Sequence, residues 1–422
     1  MLHYVCYLKL KTLCFLIIIF VFCHLIFQEF IFLNIKDEDG HSLPILIWWT
    51  NFTRLQRDRL ISCSERACKC LVTSNRTRSR ELAAYLFYGS HIENDDFPLP
   101  RNYTIPWAIF HEESPKNYAP FLYLETQNIF NLTSTFSRYS DFPVTLQYLE
   151  DLALIKDLTY YVPVDTKNKY LDEIAPVLYI QSDCDTPVSR DYLVRELAKF
   201  VQIDSYGKCL TNKSFPKELD EVYSLDLYNE KLLRFISKYK FIIAFENSVC
   251  DDYITEKLWR PLIVGSVPIY LGSPTIEDWL PNNNSAILIK NYNSLEEVAN
   301  LIKKINANDT LYERFLQHKL KSKVSNNLLQ KNILKDHPIL AFECFVCERT
   351  HQSYTYNKRN NDLNIYDCPK PKAPEKENTW YQHWDVGKCQ AKALEILLAK
   401  DTPYTSSLFE ETWKTYFYNK NC

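Results

Sequence analysis

The sequence predicts an α/β protein with parallel β-sheets, and two observations lead to that fold class. Short apolar stretches recur along its 422 residues, and several are separated by segments with the apolar spacing of helices. Strands that alternate with helices are typical of parallel sheets. Hydrophobic residues make up 46% and charged residues 24%, which is a globular composition. The predicted strands are 43–49, 83–88, 105–110, 177–182, 199–206, 240–245, 267–271 and 285–289.

Helical patterns follow several of these strands. Ser294 and Glu297 stand three residues apart before an apolar run, which is the pattern of a capping box. The predicted helices are 189–200, 254–265, 294–305 and 389–400. The net charge of −3 gives no reason to expect a nucleic-acid partner.

The N-terminus has the pattern of an uncleaved membrane anchor. An almost wholly apolar run, Leu13–Phe27, follows Lys9 and Lys11 and precedes the acidic stretch KDEDG. This charge order predicts a cytoplasmic tail, with the rest of the chain in a lumen. A cleaved signal peptide is the alternative, but no small-x-small cleavage site follows the run. The expected segments of this single-pass type II protein are a tail at 1–11, a signal-anchor helix at 12–33 and a stem at 34–43.

Glycosylation sequons and cysteines also indicate a lumenal location. Three of the fourteen cysteines precede residue 34, which leaves eleven beyond the anchor. An oxidising lumen favours disulfides over a zinc site for clusters such as Cys344 and Cys347. The odd number leaves at least one thiol free or paired between chains, so a homodimer is allowed. The predicted N-glycosylation sites are Asn51, Asn75, Asn102, Asn131, Asn212 and Asn308, whereas Asn283 stands near Pro281 and is a poorer site.

The chain is expected to form two domains and an extension. A polar stretch bounded by prolines at 163–176 predicts the break between an N-terminal domain (44–170) and a second domain (171–345). The Cys-rich remainder, 346–422, exceeds what the second domain needs. We expect this extension to fold back onto the first domain, where Cys63, Cys68 and Cys70 are candidate disulfide partners.

One stretch, KFIIAFENSVCDDYITEK (240–257), has the pattern of a ligand site. An apolar strand ends at Glu246-Asn247, and a helix is expected to begin near Ile254. Ligands of parallel sheets bind beyond the carboxyl ends of the strands, and a helix N-terminus there favours an anion. Lys257 adds a positive charge in the first turn, and the carboxylates can accept hydrogen bonds from sugar hydroxyls. The stretch therefore indicates a nucleotide-sugar site, with a plain surface turn and helix cap as the alternative.

The run FENSVCDDYITEKLWRPLIVGSVPIYLGSP (245–274) resembles the donor-binding signature of the α-1,3-fucosyltransferases, glycosyltransferase family 10. HEESPKN (111–117) and SRDYLVRELAKFVQIDSYGKC (189–209) are also similar to that family, and the resemblance covers roughly 45–345. Within the family, these details are closest to the divergent animal subgroup numbered ten and eleven. The resemblance implies a GT-B architecture, in which two Rossmann-like domains face a cleft.

The resemblance also implies an inverting transfer from GDP-fucose, which is a substrate, without a metal or other cofactor. Lys257 and Arg190 would hold the pyrophosphate, and Glu256 would bind the ribose hydroxyls. Tyr253 and Asn247 would line the nucleotide, and Glu246 would approach the fucose. Arg190 fits this role on chemical grounds as well, since it starts the helix after another strand and its guanidinium matches a phosphate.

An inverting transfer needs one carboxylate that removes the proton of the acceptor hydroxyl. HEESP follows the strand 105–110 of the first domain and places His111, Glu112 and Glu113 at its end. The match of Glu-Ser-Pro to the family makes Glu113 the expected catalytic base. Glu112 remains a competitor, and an exposed acidic turn is the plain structural interpretation.

A metal-dependent transferase is the alternative mechanism. Such enzymes use Asp-x-Asp to hold a divalent cation, and Asp183-Cys184-Asp185 fits that pattern, as does Asp37-Glu38-Asp39 in the stem. A second match in the stem shows how little the pattern means alone.

Cys184 and Cys250 both stand at predicted strand ends, so a disulfide between them is expected.

The acceptor that the family resemblance favours is N-acetylglucosamine of a glycoprotein glycan, fucosylated in α-1,3 linkage. The first alternative is transfer to serine or threonine of folded secretory-pathway domains, and a second is a non-catalytic lumenal protein that binds glycoproteins. The presence of Glu113, Arg190, Glu256 and Lys257 argues for an enzyme. We expect it in the Golgi or endoplasmic reticulum membrane, with its catalytic part in the lumen.

Overall fold

Two sheets of mainly parallel strands form the centre of the structure, a computed structural model that describes residues 42–51, 58–63, 68–219, 228–352, 363–371 and 380–422. The first sheet contains β1 (Ile45–Trp48), β2 (Arg59–Cys63), β3 (Cys68–Thr73), β4 (Leu82–Tyr88), β5 (Trp107–His111) and β6 (Leu132–Thr135). Its strand order is β2-β3-β1-β4-β5-β6, and all pairs except β2 with β3 are parallel.

The second sheet is parallel throughout. It contains β7 (Val177–Gln181), β8 (Ile203–Gly207), β9 (Phe241–Phe245), β10 (Val267–Leu271) and β11 (Ile287–Leu288). The order is β11-β10-β9-β7-β8, so the chain leaves β7 towards one edge and then returns to its other side as β9. Ligands of open parallel sheets bind at such a reversal, beyond the carboxyl ends of the strands.

Helices cover both sheets, which explains why the central strands are continuously apolar. All five residues of β9, FIIAF, are buried. The helices are α1 (Leu124–Gln127), α2 (Leu152–Lys156), α3 (Val164–Tyr170), α4 (Arg190–Ala198), α5 (Glu230–Ile236), α6 (Glu256–Val264), α7 (Leu295–Asn306), α8 (Asp309–Phe315), α9 (Gln317–Leu320), α10 (Asn327–Lys331), α11 (Pro338–Thr350), α12 (Trp380–Leu398) and α13 (Ser406–Tyr418). The predicted α/β class with parallel sheets is confirmed.

The C-terminal part of the chain returns to the first sheet. Helix α11 packs on β2, β3, β4 and β5, and two disulfides fix it there, Cys63–Cys344 and Cys70–Cys347. Helix α12 packs on α1 and on the turn 119–122. The expected boundary at residue 345 lies inside α11, because the return to the first sheet begins at Pro338 rather than after the second domain.

The predicted disulfide between Cys184 and Cys250 is wrong. Cys184 pairs with Cys209, which stands two residues after β8, and Cys250 pairs with Cys368 of the C-terminal extension. The physical reason is the strand order. Strand β7 has a neighbour on each side, β8 and β9, and each is followed by a cysteine, so position at a strand end did not decide the partner.

Among the described residues, no helix is long and apolar enough to cross a membrane. The predicted anchor at 12–33 and the Asp37-Glu38-Asp39 sequence lie outside those residues.

Candidate functional site

The predicted donor motif lies at the reversal of the second sheet. Strand β9 ends at Phe245, and α6 begins at Glu256, slightly later than the expected start near Ile254. Arg190 is the first residue of α4, which follows β7. Because β7 and β9 are neighbours, both segments border the same crevice.

Glu246 and Thr255 together fix the start of α6. The backbone N–H of Thr255 donates to Glu246 Oε1 at 2.8 Å, and its hydroxyl donates to Glu246 Oε2 at 2.8 Å. The side chain of Glu246 is fully buried, and Lys257 Nζ lies 3.7 Å from its Oε2. These contacts show Glu246 orienting the first turn of α6, and its predicted approach to the fucose stays a prediction.

Lys257 and Glu256 form the charged part of the motif. Lys257 Nζ lies 3.2 Å from Glu256 Oε1 and donates to Thr255 Oγ1 at 3.0 Å. Burial alone would raise the pKa of Glu256, but the charges of Lys257 and Arg260 outweigh it and lower that pKa to about 2. Burial opposes the charge on Lys257, yet the two neighbouring glutamates raise its pKa. Both groups therefore stay ionised at neutral pH.

Arg190 supplies a second cation beside Lys257. Its side chain is 1% exposed, and its guanidinium donates to the carbonyl oxygens of Phe245 at 3.2 Å and Asp183 at 2.7 Å. Its Nε has no hydrogen-bond partner among the described residues. Arg190 bonds to the carbonyl oxygen of Phe245, and Lys257 lies 3.7 Å from the carboxylate of the next residue, Glu246, so both cations lie at the end of β9 beside the start of α6.

Asn247 and Tyr253 lie in the loop between β9 and α6, and their predicted contact with the nucleotide stays a prediction. Asn247 Oδ1 is buried, and within the described part of the chain no group donates to it. Tyr253 is 2% exposed, and its ring packs edge-on against Phe136 of the first domain, with ring centroids 5.0 Å apart.

The predicted base loop meets the donor motif across the two sheets. The hydroxyl of Tyr253 donates to Glu113 Oε2 at 3.4 Å. Burial raises the pKa of Glu113; the charge of Lys257 opposes that shift, and the charge of Glu256 adds to it. The structure thus brings Glu113 next to Tyr253 and into the field of Lys257.

Glu112 points elsewhere. Tyr88 donates its hydroxyl to Glu112 Oε1 at 2.9 Å, and burial raises the pKa of Glu112 to about 7. Its Oε2 is buried and has no hydrogen-bond partner among the described residues. The preceding His111 is completely buried at the end of β5, and burial lowers its pKa to about 3, so it is neutral.

A short C-terminal segment, residues 364–368, bridges the base loop and the donor loop. Tyr366 donates its hydroxyl to the carbonyl oxygen of His111 at 2.9 Å and stacks on Phe136, with centroids 4.5 Å apart. Two residues later, the disulfide Cys250–Cys368 ties the segment to the loop that carries Tyr253. The backbone N–H of Asp251 also donates to Asp367 O at 2.9 Å. We call residues 364–368 the brace.

Both aspartates of the Asp-x-Asp sequence after β7, Asp183 and Asp185, have partners in the fold. Lys116 Nζ lies 2.6 Å from both carboxylate oxygens of Asp183, and Arg190 lies 3.7 Å from one of them. Asp185 accepts a hydrogen bond from Trp380 Nε1 at 2.5 Å. The positive charges of Lys116 and Arg190 oppose the binding of a divalent cation to Asp183.

Sequence reasoning missed three residues of the region. Asp252 binds Arg138 across the domains, Tyr366 belongs to the brace, and Tyr148 lies where the charges of Glu113 and Glu112 act on its hydroxyl. The cysteine two residues after Tyr366 was a usable signal, because an extension cysteine needs a partner. Nothing local in the sequence marks Tyr148. Asp252 stands within the donor motif 240–257, but that motif does not indicate its partner, Arg138.

Family comparison gives consistent matches to both halves of the chain. Residues 167–366 match "Glycosyltransferase family 10 (fucosyltransferase) C-term", and residues 40–148 match "Fucosyltransferase, N-terminal".

Individual relatives match over most of their length. "GDP-fucose protein O-fucosyltransferase 3" of Rattus norvegicus is 40% identical over 90% of this chain and 83% of its own. The protein of the same name from Homo sapiens is 38% identical over 89% of this chain and 83% of its own. Among solved structures, "Crystal Structure of alpha1,3-Fucosyltransferase with GDP" aligns with 80% of this chain and 95% of its own, at 17% identity and a TM-score of 0.45.

Proposed function

Since the chain belongs to glycosyltransferase family 10, the fucosyltransferases, we propose that it transfers L-fucose from GDP-fucose to a serine or threonine hydroxyl of a protein. The name of the curated relatives, protein O-fucosyltransferase 3, supports this acceptor. It favours a protein hydroxyl over N-acetylglucosamine of a glycan, which the family resemblance alone had put first.

The contact between Glu113 and the donor motif carries the proposal. Glu113 comes from the first sheet, whereas Tyr253 and Lys257 come from the second, and the carboxylate lies in the field of the cation. Glu113 takes the proton of the acceptor hydroxyl while that oxygen bonds to the anomeric carbon of fucose. The bond from this carbon to the GDP oxygen breaks, its electron pair leaves with GDP, and the configuration inverts.

The leaving GDP gains negative charge, which the second sheet can stabilise with its own groups. Lys257, Arg190 and the start of α6 converge at the switch between β7 and β9. Fixed cations of this kind stabilise a departing diphosphate. We infer that the transfer needs no divalent metal, which is supported by the pairing of Asp183 with Lys116.

We also infer a GT-B arrangement of two Rossmann-like domains. Its support is the strand order, because the parallel strands β3-β1-β4-β5-β6 and β8-β7-β9-β10-β11 repeat one topology. In each sheet the strand order reverses beside the strand that comes first in the chain, β1 or β7. The base loop follows β5 of the first sheet, and the donor motif follows β9 of the second.

We propose that the protein is anchored in the Golgi or endoplasmic reticulum membrane, with its catalytic part in the lumen. Five disulfides connect the described residues, and such bonds persist in oxidising compartments. The charge order around the run at 12–33 supports the type II orientation.

The test is a fucose transfer assay with the full-length chain, GDP-fucose and EDTA. Three acceptor classes are compared: a lactosamine glycan, an N-glycan core glycopeptide and a panel of folded disulfide-rich domains. Glu113→Gln should lose transfer, and Lys257→Ala should weaken GDP-fucose binding. Glu277→Gln and Lys290→Ala, which alter an exposed ion pair, are the matched controls and should transfer at the wild-type rate.

Transfer to a domain's serine or threonine in EDTA, located by mass spectrometry, would support the proposal. Transfer to a glycan alone would refute the protein acceptor while leaving the enzyme class intact. Loss of transfer in EDTA, restored by a divalent cation, would refute the metal-free mechanism.

A further inference from the structure

A cleft of about 620 Å³ lies beside the base loop. Glu112 lines it, together with the loop 146–150 and the segment 334–339 that leads into α11. Clefts of this size hold ligands in other proteins. Nothing in the proposed handling of GDP-fucose uses this space.

The cleft is acidic. The exposed carboxylates of Glu150 and Asp336 line it, together with Glu112, whose pKa burial raises to about 7. The basic side chains that line it among the described residues are Lys335 and His337. Glu150 and Asp336 are exposed, whereas Glu112 Oε2 is buried and lacks a hydrogen-bond partner within the described chain. A buried oxygen with no donor is a place where a ligand can donate a hydrogen bond.

Tyr148 and Glu112 place the cleft beside the expected base. Tyr148 lines the cleft, and its backbone oxygen accepts a hydrogen bond from Tyr228, which lines the cleft too. Burial raises the pKa of the Tyr148 hydroxyl, and the charges of Glu113 and Glu112 add to that shift. Glu112 also lines the cleft and directly precedes Glu113 in the chain, so the cleft borders the base loop.

The charges that line the cleft and the donor site favour different substrates. GDP-fucose carries a diphosphate, which Lys257 and Arg190 attract and which the carboxylates of the cleft repel. A polypeptide with a basic side chain has the opposite preference. The cleft therefore suits the acceptor rather than the donor.

We propose that this cleft binds the acceptor polypeptide, and that Glu150 and Asp336 select an acceptor with a lysine or arginine near the modified hydroxyl. The proposal rests on the proposed function, because it assumes a protein acceptor. It goes beyond that function by assigning the acceptor site and the charge of the segment that it binds.

The test uses the full-length chain and the disulfide-rich domain that the wild type modifies most rapidly. The double variant Glu150→Gln with Asp336→Asn should raise the KM for that domain by about two- to thirtyfold, as expected for two exposed ion pairs. Its KM for GDP-fucose should change less than twofold. Glu410→Gln with Glu411→Gln is the control, since it removes two charges from α13, which does not line the cleft.

A charge exchange makes the test specific. The variant Glu150→Lys with Asp336→Lys should modify the natural domain poorly. It should regain transfer when the basic residues flanking the acceptor hydroxyl are replaced by glutamate. Thermal unfolding checks that each variant is folded.

The outcomes separate the two proposals. If the wild type modifies glycans alone, the protein acceptor and this inference both fail. If it modifies a domain but the cleft variants keep the wild-type KM for that domain, or if the exchange restores nothing, the inference alone is overturned.

Discussion

At the residue scale, the neighbours Glu112 and Glu113 show how environment assigns different parts to identical side chains. Glu113 meets Tyr253 and the charge of Lys257, whereas Glu112 accepts from Tyr88 and faces the acidic cleft. The sequence could place both at the end of one strand but could not separate them. Their tertiary partners distinguish them: Tyr88 on β4 for Glu112 and Tyr253, after β9 of the other sheet, for Glu113.

The pH dependence of transfer should identify the base. Glu113 must be ionised to accept a proton, so the rate should rise with pH through the pKa of Glu113. Burial raises that pKa, and the midpoint of the acid limb should therefore lie above the usual glutamate value of roughly 4.3. The measurement is kcat/KM for the acceptor against pH at saturating GDP-fucose.

Paired variants give the control for this profile. Glu113→Gln should abolish transfer at every pH, and Glu112→Gln should retain a measurable acid limb. If Glu112 were the base, the limb would lie near pH 7, where burial places the pKa of Glu112. Loss of transfer in Glu112→Gln with activity in Glu113→Gln would reverse the assignment.

The predicted glycosylation site at Asn131 has an unfavourable position in the fold. Asn131 Oδ1 accepts from Arg101 at 2.9 Å and from the Trp107 N–H at 3.0 Å, and Thr133 of the sequon is completely buried on β6. By contrast, Asn75 and Asn102 are exposed and each accepts hydrogen bonds from the threonine two residues later.

We therefore expect glycans on Asn75 and Asn102 but not on Asn131. Glycopeptide mass spectrometry of the secretory-pathway protein, after enzymatic release of glycans in H₂¹⁸O, measures occupancy at each site. The exposed sequons are internal controls for the efficiency of release. A fully occupied Asn131 would show that glycosylation precedes folding of β6 and that the fold accommodates the glycan.

At the element scale, the sequence predicted what depends on local pattern. The run FIIAF became β9 because five consecutive apolar residues suit a strand covered on both faces. Ser294 caps α7 by accepting from the Glu297 N–H at 3.2 Å, as its spacing predicted. Strand β6 was missed because its polar sequence, LTST, lacks the apolar pattern of a buried strand; the hydroxyl of Thr133 is satisfied by Asp141, eight residues later.

The brace is the element that is hardest to predict from the local sequence pattern. It depends on Tyr366 and Cys368 meeting residues more than 100 positions away, His111 and Cys250. Its place suggests that it sets the position of the base loop relative to the donor loop. Small displacements of reacting groups are costly, since about 1 Å can reduce a rate a hundredfold.

Tyr366→Phe should therefore lower kcat by about two- to tenfold, because it removes the bond to His111 O while keeping the ring on Phe136. The Kd for GDP-fucose should stay within twofold. Tyr404→Phe is the matched control, as it also removes a bond from a tyrosine hydroxyl to a backbone carbonyl, at Asn94 O. An equal loss of kcat in both variants, or none in either, would contradict a positioning role for the brace.

At the scale of the whole molecule, Arg138 and Asp252 join the loops that follow β6 of the first sheet and β9 of the second. Arg138 donates from Nε and Nη2 to Asp252 Oδ1, at 3.0 and 2.6 Å, and its backbone N–H donates to Oδ2 at 3.0 Å. Trp279 Nε1 donates to the same carboxylate at 2.9 Å. The sequence could not predict this pair, because Asp252 stands in the donor motif but its partner lies 114 residues earlier and no local pattern connects the two.

Asp252 is 1% exposed, so its charge depends on these donors. Burial alone would raise its pKa, but the hydrogen bonds from Arg138 and Trp279 outweigh burial and lower it. A carboxyl whose pKa is lower in the folded state stabilises the fold above its unfolded value of roughly 3.9, and this stabilisation is lost as pH falls through the folded pKa.

Arg138→Ala should reduce stability at pH 7 by about 2–4 kcal/mol, since it leaves a buried carboxylate without its ion partner. The difference from the wild type should shrink below about pH 4, where the wild type begins to lose the same interaction. Thermal unfolding of both proteins at several pH values measures this. Arg234→Ala, which breaks an exposed pair with Glu230, should cost under about 1 kcal/mol. If the two variants lost equal stability, or if the stability lost in Arg138→Ala did not change with pH, the contact between Arg138 and Asp252 would not depend on the charge of Asp252.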